Sequence, residues 1–201
     1  DDAKRSLGLD QGCHIKRVSA GQDKMTEKII IAGSGGQGIM LLGKVLSEAA
    51  MSEGKFVTWL PAYGAEVRGG TAHCMVIVSD EEIGSPYIDK ADTLIIMNKP
   101  SLSRFSSRLK KGSTMIINSS LVMPKDKNLK VMGYPFTDLA VKLGNVKVAN
   151  MVALGCYLAY KKTVAISSVL GIMKKMAPAG RADLVEINQG ALDMGVNLRN
   201  G

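Results

Sequence analysis

Two short stretches carry residue types and spacings from which chemistry can be built. The first, IIIAGSGGQGIMLLGKVL (residues 29–46), passes from an apolar strand through a glycine-rich turn into an amphipathic helix. Gly33, Gly35 and Gly38 spell G-x-G-x-x-G, with Gly36 and Gln37 inside it. Gly33 permits a tight turn, Gly35 a close backbone approach, and Gly38 tight helix–strand packing. The helix start then offers free N–H groups and partial positive charge to an anion. A dinucleotide site also needs an acidic residue at the end of the second strand, to hold the ribose. Here that strand ends Thr58-Trp59-Leu60-Pro61, Glu53 precedes it, and no Arg for a 2′-phosphate is present. The turn is left with three readings: an NAD(P) or flavin grip, a site for another phosphate-bearing ligand, or a turn that packs tightly or docks a partner.

The second stretch is PAYGAEVRGGTAHC, residues 61–74. Glu66 and Arg68 sit on a glycine-flanked loop at the carboxyl end of a strand, where open α/β sheets place their ligand sites. The plainer reading is a surface turn with a local ion pair worth about 0–1 kcal/mol. His73 and Cys74 follow on the next strand. No acid is placed by the sequence to tune either, which favours core or half-buried positions over catalysis.

Several functions lack the residues they require. The three cysteines (Cys13, Cys74, Cys156) form no CxxC, and with only two histidines (His14, His73) no metal or iron–sulfur set assembles from this chain. Cys13-His14 reads as part of a solvated tail, because adjacent ligands without a second pair do not make a site. No disulfide framework is indicated, which favours a reducing cytoplasm. The formal charge is +8, but lysines and arginines are scattered, with no run of five. That pattern argues against nucleic acid and suits acidic partner subunits or ligand phosphates. No apolar run reaches the roughly 20 residues of a membrane span, and the N-terminal stretch has no secretory apolar core.

The elements that must position these stretches follow from periodicity. Residues 1–24 are polar and aperiodic and read as a flexible N-terminal extension; residues 25–201 read as a single domain. A strand at 28–32 leads to the turn and a helix over 37–53, stopped by Gly54. Strands FVTWL and TAHCMVIVS have no helix between them, which leaves an antiparallel pairing, and with it a mixed sheet, open. After the turn-rich DEEIGSPYIDKA comes strand TLIIMN, then a helix entered at Pro100, SLSRFSSRLKK, which Gly112 closes. Strand STMIINSS and the short apolar LKVMGYP follow, then helices over 136–143, 147–160, 165–176 and 181–198. Strands joined by helices predict an α/β protein, a three-layer α/β/α sandwich around a parallel or mixed sheet. With 46% apolar residues, 4% aromatics and 12 methionines, its core should be aliphatic and methionine-rich.

GSGGQGI, then YGAEVRGGTAH, then the late helix with VANMVALG together resemble the gamma subunit of the 2-oxoacid:ferredoxin oxidoreductases, over about residues 26–198. That family acts on pyruvate, 2-oxoglutarate, branched-chain 2-oxoacids or indolepyruvate. The resemblance implies oxidative decarboxylation of a 2-oxoacid to acyl-CoA, with electrons passed to ferredoxin. It also implies thiamine diphosphate and iron–sulfur clusters carried by sister alpha, beta and delta subunits, and coenzyme A bound in the assembled complex. This chain would then carry no cofactor, no metal and no catalytic residue of its own, and be inactive in isolation. On that reading Gly33, Gly35, Gly36, Gln37 and Gly38 face either a coenzyme A phosphate or a partner chain. Tyr63, Glu66, Arg68 and Gly69 form a loop presented to the thiamine-bearing subunit or the coenzyme A channel, and Asn150 opens the helix packed near it. The competing readings are an independent NAD(P)-dependent reductase and a basic nucleic-acid or assembly module.

Overall fold

The computed structural model describes residues 24–62, 71–122 and 130–199. Its centre is a six-stranded mixed sheet in the order β2-β3-β1-β4-β5-β6. Strand β1 (Thr26–Ser34) buries Ile29, Ile30, Ile31 and Ala32 completely, because the sheet is covered on both faces and neither side of the strand can be polar. Each such isoleucine contributes about 2 kcal/mol by leaving water. Helix α1 (Ile39–Ser52) turns back over the sheet and ends at Gly54, whose φ of 78° suits a residue without a side chain. Strands β2 (Phe56–Ala62) and β3 (Thr71–Ser79) are antiparallel, the arrangement their helix-free connection allows, and β3 is also antiparallel to β1. Strands β4 (Ala91–Ile96), β5 (Leu109–Asn118) and β6 (Lys130–Tyr134) all run parallel to β1, so the sheet is mixed.

One expectation fails. The helix read over residues 101–111 is helix α2 only over Lys99–Phe105, followed by a 3-10 turn at Ser106–Arg108. Leu109 already lies in β5, opposite Ala91, and Gly112 sits within that strand at φ 79° rather than closing a helix. Arg108 explains the early exit: its guanidinium donates to the carbonyls of Ile88 and Asp89, holding the chain against the sheet. LKVMGYP supplies the sixth strand. The other helices are α3 (Phe136–Lys142), α4 (Ala149–Lys161), α5 (Ile166–Met176) and α6 (Ala182–Asn197).

The two faces of the sheet are covered unequally. One carries α1, α3 and α4, with α5 packed on α1 and α6 on α4. The other is covered mainly by α2 and the segment before β4, through Phe105, Leu102, Ile88 and Ile83. Helix α4 is buried without interruption from Ala149 to Leu158, the signature of a helix enclosed on all sides. It meets α6 backbone to backbone at Gly155 and Gly195, where a β-carbon on either would collide with the carbonyl of Leu192 or Val152.

Candidate functional site at the carboxyl edge of the sheet

The connection leaving β1 runs towards β2 and β3, whereas the one leaving β4 runs towards β5, so the topology switches direction between β1 and β4. In open α/β sheets the crevice outside the strand ends at such a point is where ligands bind. The glycine turn forms one wall of it and the start of α2 the other.

The turn is built from its own side chains. Gln37 Oε1 accepts from Ser34 N–H at 2.7 Å, and Gln37 Nε2 donates to the Met97 carbonyl at 3.3 Å. Its amide therefore ties the turn to the end of β4 instead of projecting at a ligand. A β-carbon at Gly33 would lie 2.6 Å from Gln37 Oε1 and 2.7 Å from Ile39 Cδ1, so those side-chain ends would have to shift to admit one. Gly38 has φ 70° and would collide with Asn150, whose Nδ2 donates to the Gly38 carbonyl at 3.1 Å. Asn150, 2% exposed, thus fastens the start of α4 to the start of α1. Gly35 and Gly36 are exposed, with nothing within 4 Å of an added β-carbon, although Gly36 shares with Gly38 a left-handed φ, 87°. They stand beside the first turn of α1, which has no side-chain cap and no acidic residue. This combination offers N–H groups and dipole charge to an anion.

Three residues of this edge are not singled out by sequence reasoning. Asn98 caps α2, its Oδ1 accepting from Ser101 N–H at 2.9 Å while its Nδ2 donates to Ser34 Oγ. The signal was present: Asn followed two residues later by Pro marks a helix start. Asn118, fully buried, donates to Thr137 Oγ1 at 2.8 Å and accepts from Thr137 N–H at 3.3 Å, fixing α3 at the end of β5. Arg104 donates to Thr71 Oγ1 at 2.6 Å, linking α2 to the start of β3. Tyr63, Glu66, Arg68 and Gly69 lie outside the described residues, as do Cys13 and His14.

His73 is 8% exposed, its ring 4.7 Å from that of Phe105 and tilted 49° to it, with Nδ1 unpartnered. Burial, then the nearby charges of Arg104 and Arg108, lower its pKa, so the ring is neutral near pH 7. Cys74 and Cys156 are buried, and burial pushes both thiols up to about 12, which makes them inert as nucleophiles. His73 and Cys74 are therefore core residues, as their sequence setting indicates. Among the described residues no group of three His, Cys, Asp or Glu side chains is placed to hold a metal ion.

The geometry also departs from a dinucleotide grip. β2, which would carry the ribose-binding acid, is separated from β1 by β3. Glu53 faces the opposite edge, where its carboxylate accepts from Ala165 N–H at 2.7 Å.

Comparison with known proteins agrees with this geometry. The family model described as pyruvate ferredoxin/flavodoxin oxidoreductase matches residues 28–198, and the chain belongs to that family. It is 36% identical over 168 residues to the ketoisovalerate oxidoreductase subunit VorA of Methanothermobacter thermautotrophicus, covering 84% of this chain and 35% of that one. The gamma subunit of keto/oxoacid ferredoxin oxidoreductase from Geobacter sulfurreducens superposes with a TM-score of 0.74 at 29% identity, over 85% of this chain and 96% of that chain. A 2-oxoglutarate:ferredoxin oxidoreductase from Magnetococcus marinus, solved with 2-oxoglutarate, coenzyme A and succinyl-CoA bound, shares the fold at TM-score 0.80 and 22% identity. The match covers 89% of this chain and 32% of that one. The chain thus spans about a third of the length of VorA, while it nearly spans the free-standing Geobacter subunit.

Proposed function

We propose that this chain is the gamma-type subunit of a 2-oxoacid:ferredoxin oxidoreductase, serving oxidative decarboxylation of a 2-oxoacid to acyl-CoA from a supporting position. Thiamine diphosphate and the iron–sulfur clusters belong to sister chains of the alpha, beta and delta type, ferredoxin is reached through the complex, and the cytoplasm is the working compartment. The observation that carries the reading is the exposed Gly35-Gly36 turn against the uncapped start of α1, at the switch point of the sheet, in a member of this family. A phosphate of coenzyme A fits it by charge and by open space, and a carboxylate of a partner chain fits it by the same chemistry. On this reading Gly33, Gln37, Gly38 and Asn150 hold the turn in shape. On the same reading Tyr63, Glu66, Arg68 and Gly69 serve the thiamine-bearing subunit or the coenzyme A channel, Arg68 supplying a planar donor fork.

Gly35 allows a clean test, because a side chain there meets nothing. In complex reconstituted with the sister chains, Gly35→Asp should raise the KM for coenzyme A about tenfold or more, with Gly35→Ala near wild type and the melting temperature of the isolated chain unchanged. Arg68→Ala should likewise spare that melting temperature and impair the complex by about 2–5 kcal/mol in assembly or coenzyme A dependence. Impaired assembly with an unchanged KM would assign the turn to a partner chain instead. Normal assembly and turnover in both variants would remove the edge from the function.

A further inference from the structure

We propose that three methionines lining a small pocket between α1, α4, α5 and α6 are a modification site for hydrogen peroxide, and that their sulfoxides loosen the glycine turn. The pocket, about 160 Å³, is walled by Leu41 and Val45 of α1, Met151 of α4, Met173 and Met176 of α5 and Leu184 of α6. It lies at the edge of the sheet that carries the turn. Leu41 is in the first turn of α1, Met151 follows Asn150, and Leu184 is in the first turn of α6. A water needs only about 10–15 Å³ of such space, so hydrogen peroxide, two oxygens in size, has ample room. The three sulfur side chains stand at graded depth: Met176 is half-buried, Met173 is 8% exposed and Met151 is 1% exposed. An oxidant entering from solvent reaches them in that order. The site belongs to this chain alone and is independent of what the turn binds.

In the reaction a lone pair of the thioether sulfur attacks one peroxide oxygen, an S–O bond forms and the O–O bond breaks. The departing hydroxide takes the proton of the transferred oxygen and leaves as water, so sulfur loses two electrons and peroxide gains them. The product replaces a flexible apolar side chain by a polar one that needs a hydrogen-bond donor. The pocket has little to offer it. Its one polar side chain, Asn188, already donates from Nδ2 to the Leu184 carbonyl at 2.6 Å. A sulfoxide at Met173 or Met151 therefore drives its side chain towards water and loosens the packing of α5 on α1. Two hydrogen bonds carry the disturbance to the turn. Met151 N–H donates to Asn150 Oδ1 at 2.9 Å, and Asn150 Nδ2 donates to the Gly38 carbonyl at 3.1 Å. Movement of Met151 thus acts on the amide that fastens α4 to the start of α1.

The test exposes the full folded chain to hydrogen peroxide and maps sulfoxides by peptide mass over time. Met51, 53% exposed on α1, is the unhindered reference. Met176 should oxidise within about tenfold of the Met51 rate, then Met173, then Met151, while Met97 and Met115 stay reduced. Met97 is the decisive comparison, because it is as buried as Met151 but does not line this pocket. Oxidation should lower the melting temperature by about 5 °C or more. It should also shift the side-chain amide resonances of Asn150 and the backbone resonances of Gly35 and Gly36, and methionine sulfoxide reductases should reverse both effects. Met151→Leu combined with Met173→Leu keeps the apolar volume, so peroxide should oxidise Met176 in that variant without lowering its melting temperature. Equal rates for Met151, Met173 and Met97 would overturn the proposal, since oxidation would then follow global unfolding. So would unchanged Asn150 resonances in chains carrying the Met151 sulfoxide, or an equal loss of melting temperature in the double variant. If the double variant is itself less stable than wild type, the rates and the resonances decide. Every readout uses this chain alone, so failure here leaves the subunit reading standing, and failure of that reading leaves this site standing.

Discussion

At the scale of single residues, the glycine fingerprint divides into positions the fold requires and positions it leaves open. Gly38 carries both a positive φ and a collision with Asn150. Gly38→Ala should therefore cost about 2–3 kcal/mol in urea unfolding, combining left-handed strain with a displaced amide. Asn150→Ala removes the colliding group, so the double variant should lose less than the two single losses added; strict additivity would mean that the two residues do not interact. His73 gives a pH signature. Its folded pKa lies below the ordinary 6.5, so above that pH the ring is neutral in folded and unfolded chains alike and costs nothing. As pH falls through 6.5 the unfolded chain takes up a proton that the folded chain resists, and stability declines from there downward. His73→Phe, which keeps a ring against Phe105, should flatten that decline between pH 6.5 and 5, read from urea midpoints against wild type. Asn98 and Asn118 were the least legible residues in the sequence, and Asn150 was legible only as the opening of its helix. Two of the three hold groups 64 and 112 residues away, and nothing local announces such partners.

At the scale of elements, period and punctuation were informative wherever an element's pattern matched its own burial. β1, the turn and α1 follow one another as read, and so do strands β2 and β3 and the late helices. Residues 101–111 misled because Leu102, Phe105 and Leu109 keep a helical spacing and all three pack into the same cluster. The chain changes from helix to strand between them, a switch that Arg108 and the sheet impose rather than any breaker residue. The α4–α6 contact offers a sharp comparison between glycines. Gly155→Ala or Gly195→Ala drives a methyl group into a facing backbone carbonyl and should cost more than about 4 kcal/mol, or prevent folding. Gly190, on α6 with nothing within 4 Å of an added β-carbon, should instead gain about 0.5–1 kcal/mol when changed to Ala. Chemical denaturation of the three variants checks both signs. Equal losses at all three would mean that the two helices do not meet backbone to backbone.

At the scale of the whole molecule, the fold class was legible because strands and helices alternate in apolar runs of the right length. The unequal dressing of the two faces was not, since it depends on which side each connection crosses. The site was half legible: the turn stands out by composition, whereas the switch point that gives it meaning exists only once the strand order is known. The enclosed position of α4 has a consequence for how the chain is made. When synthesis has reached Leu143, all six strands and α1 to α3 exist, but α4, α5 and α6 do not. The face of the sheet that α4 shares with α1 and α3, with Ile29, Ile31, Ile95 and Ile116 among its residues, is then only partly covered. A nascent chain of that length is thus an apolar slab awaiting its last quarter, a species prone to self-association or capture by chaperones. A polypeptide ending at Leu143 should bind an apolar dye strongly and aggregate, and adding residues 144–199 as a separate peptide should suppress both. A soluble, dye-silent truncation would show that the remaining helices close that face unaided.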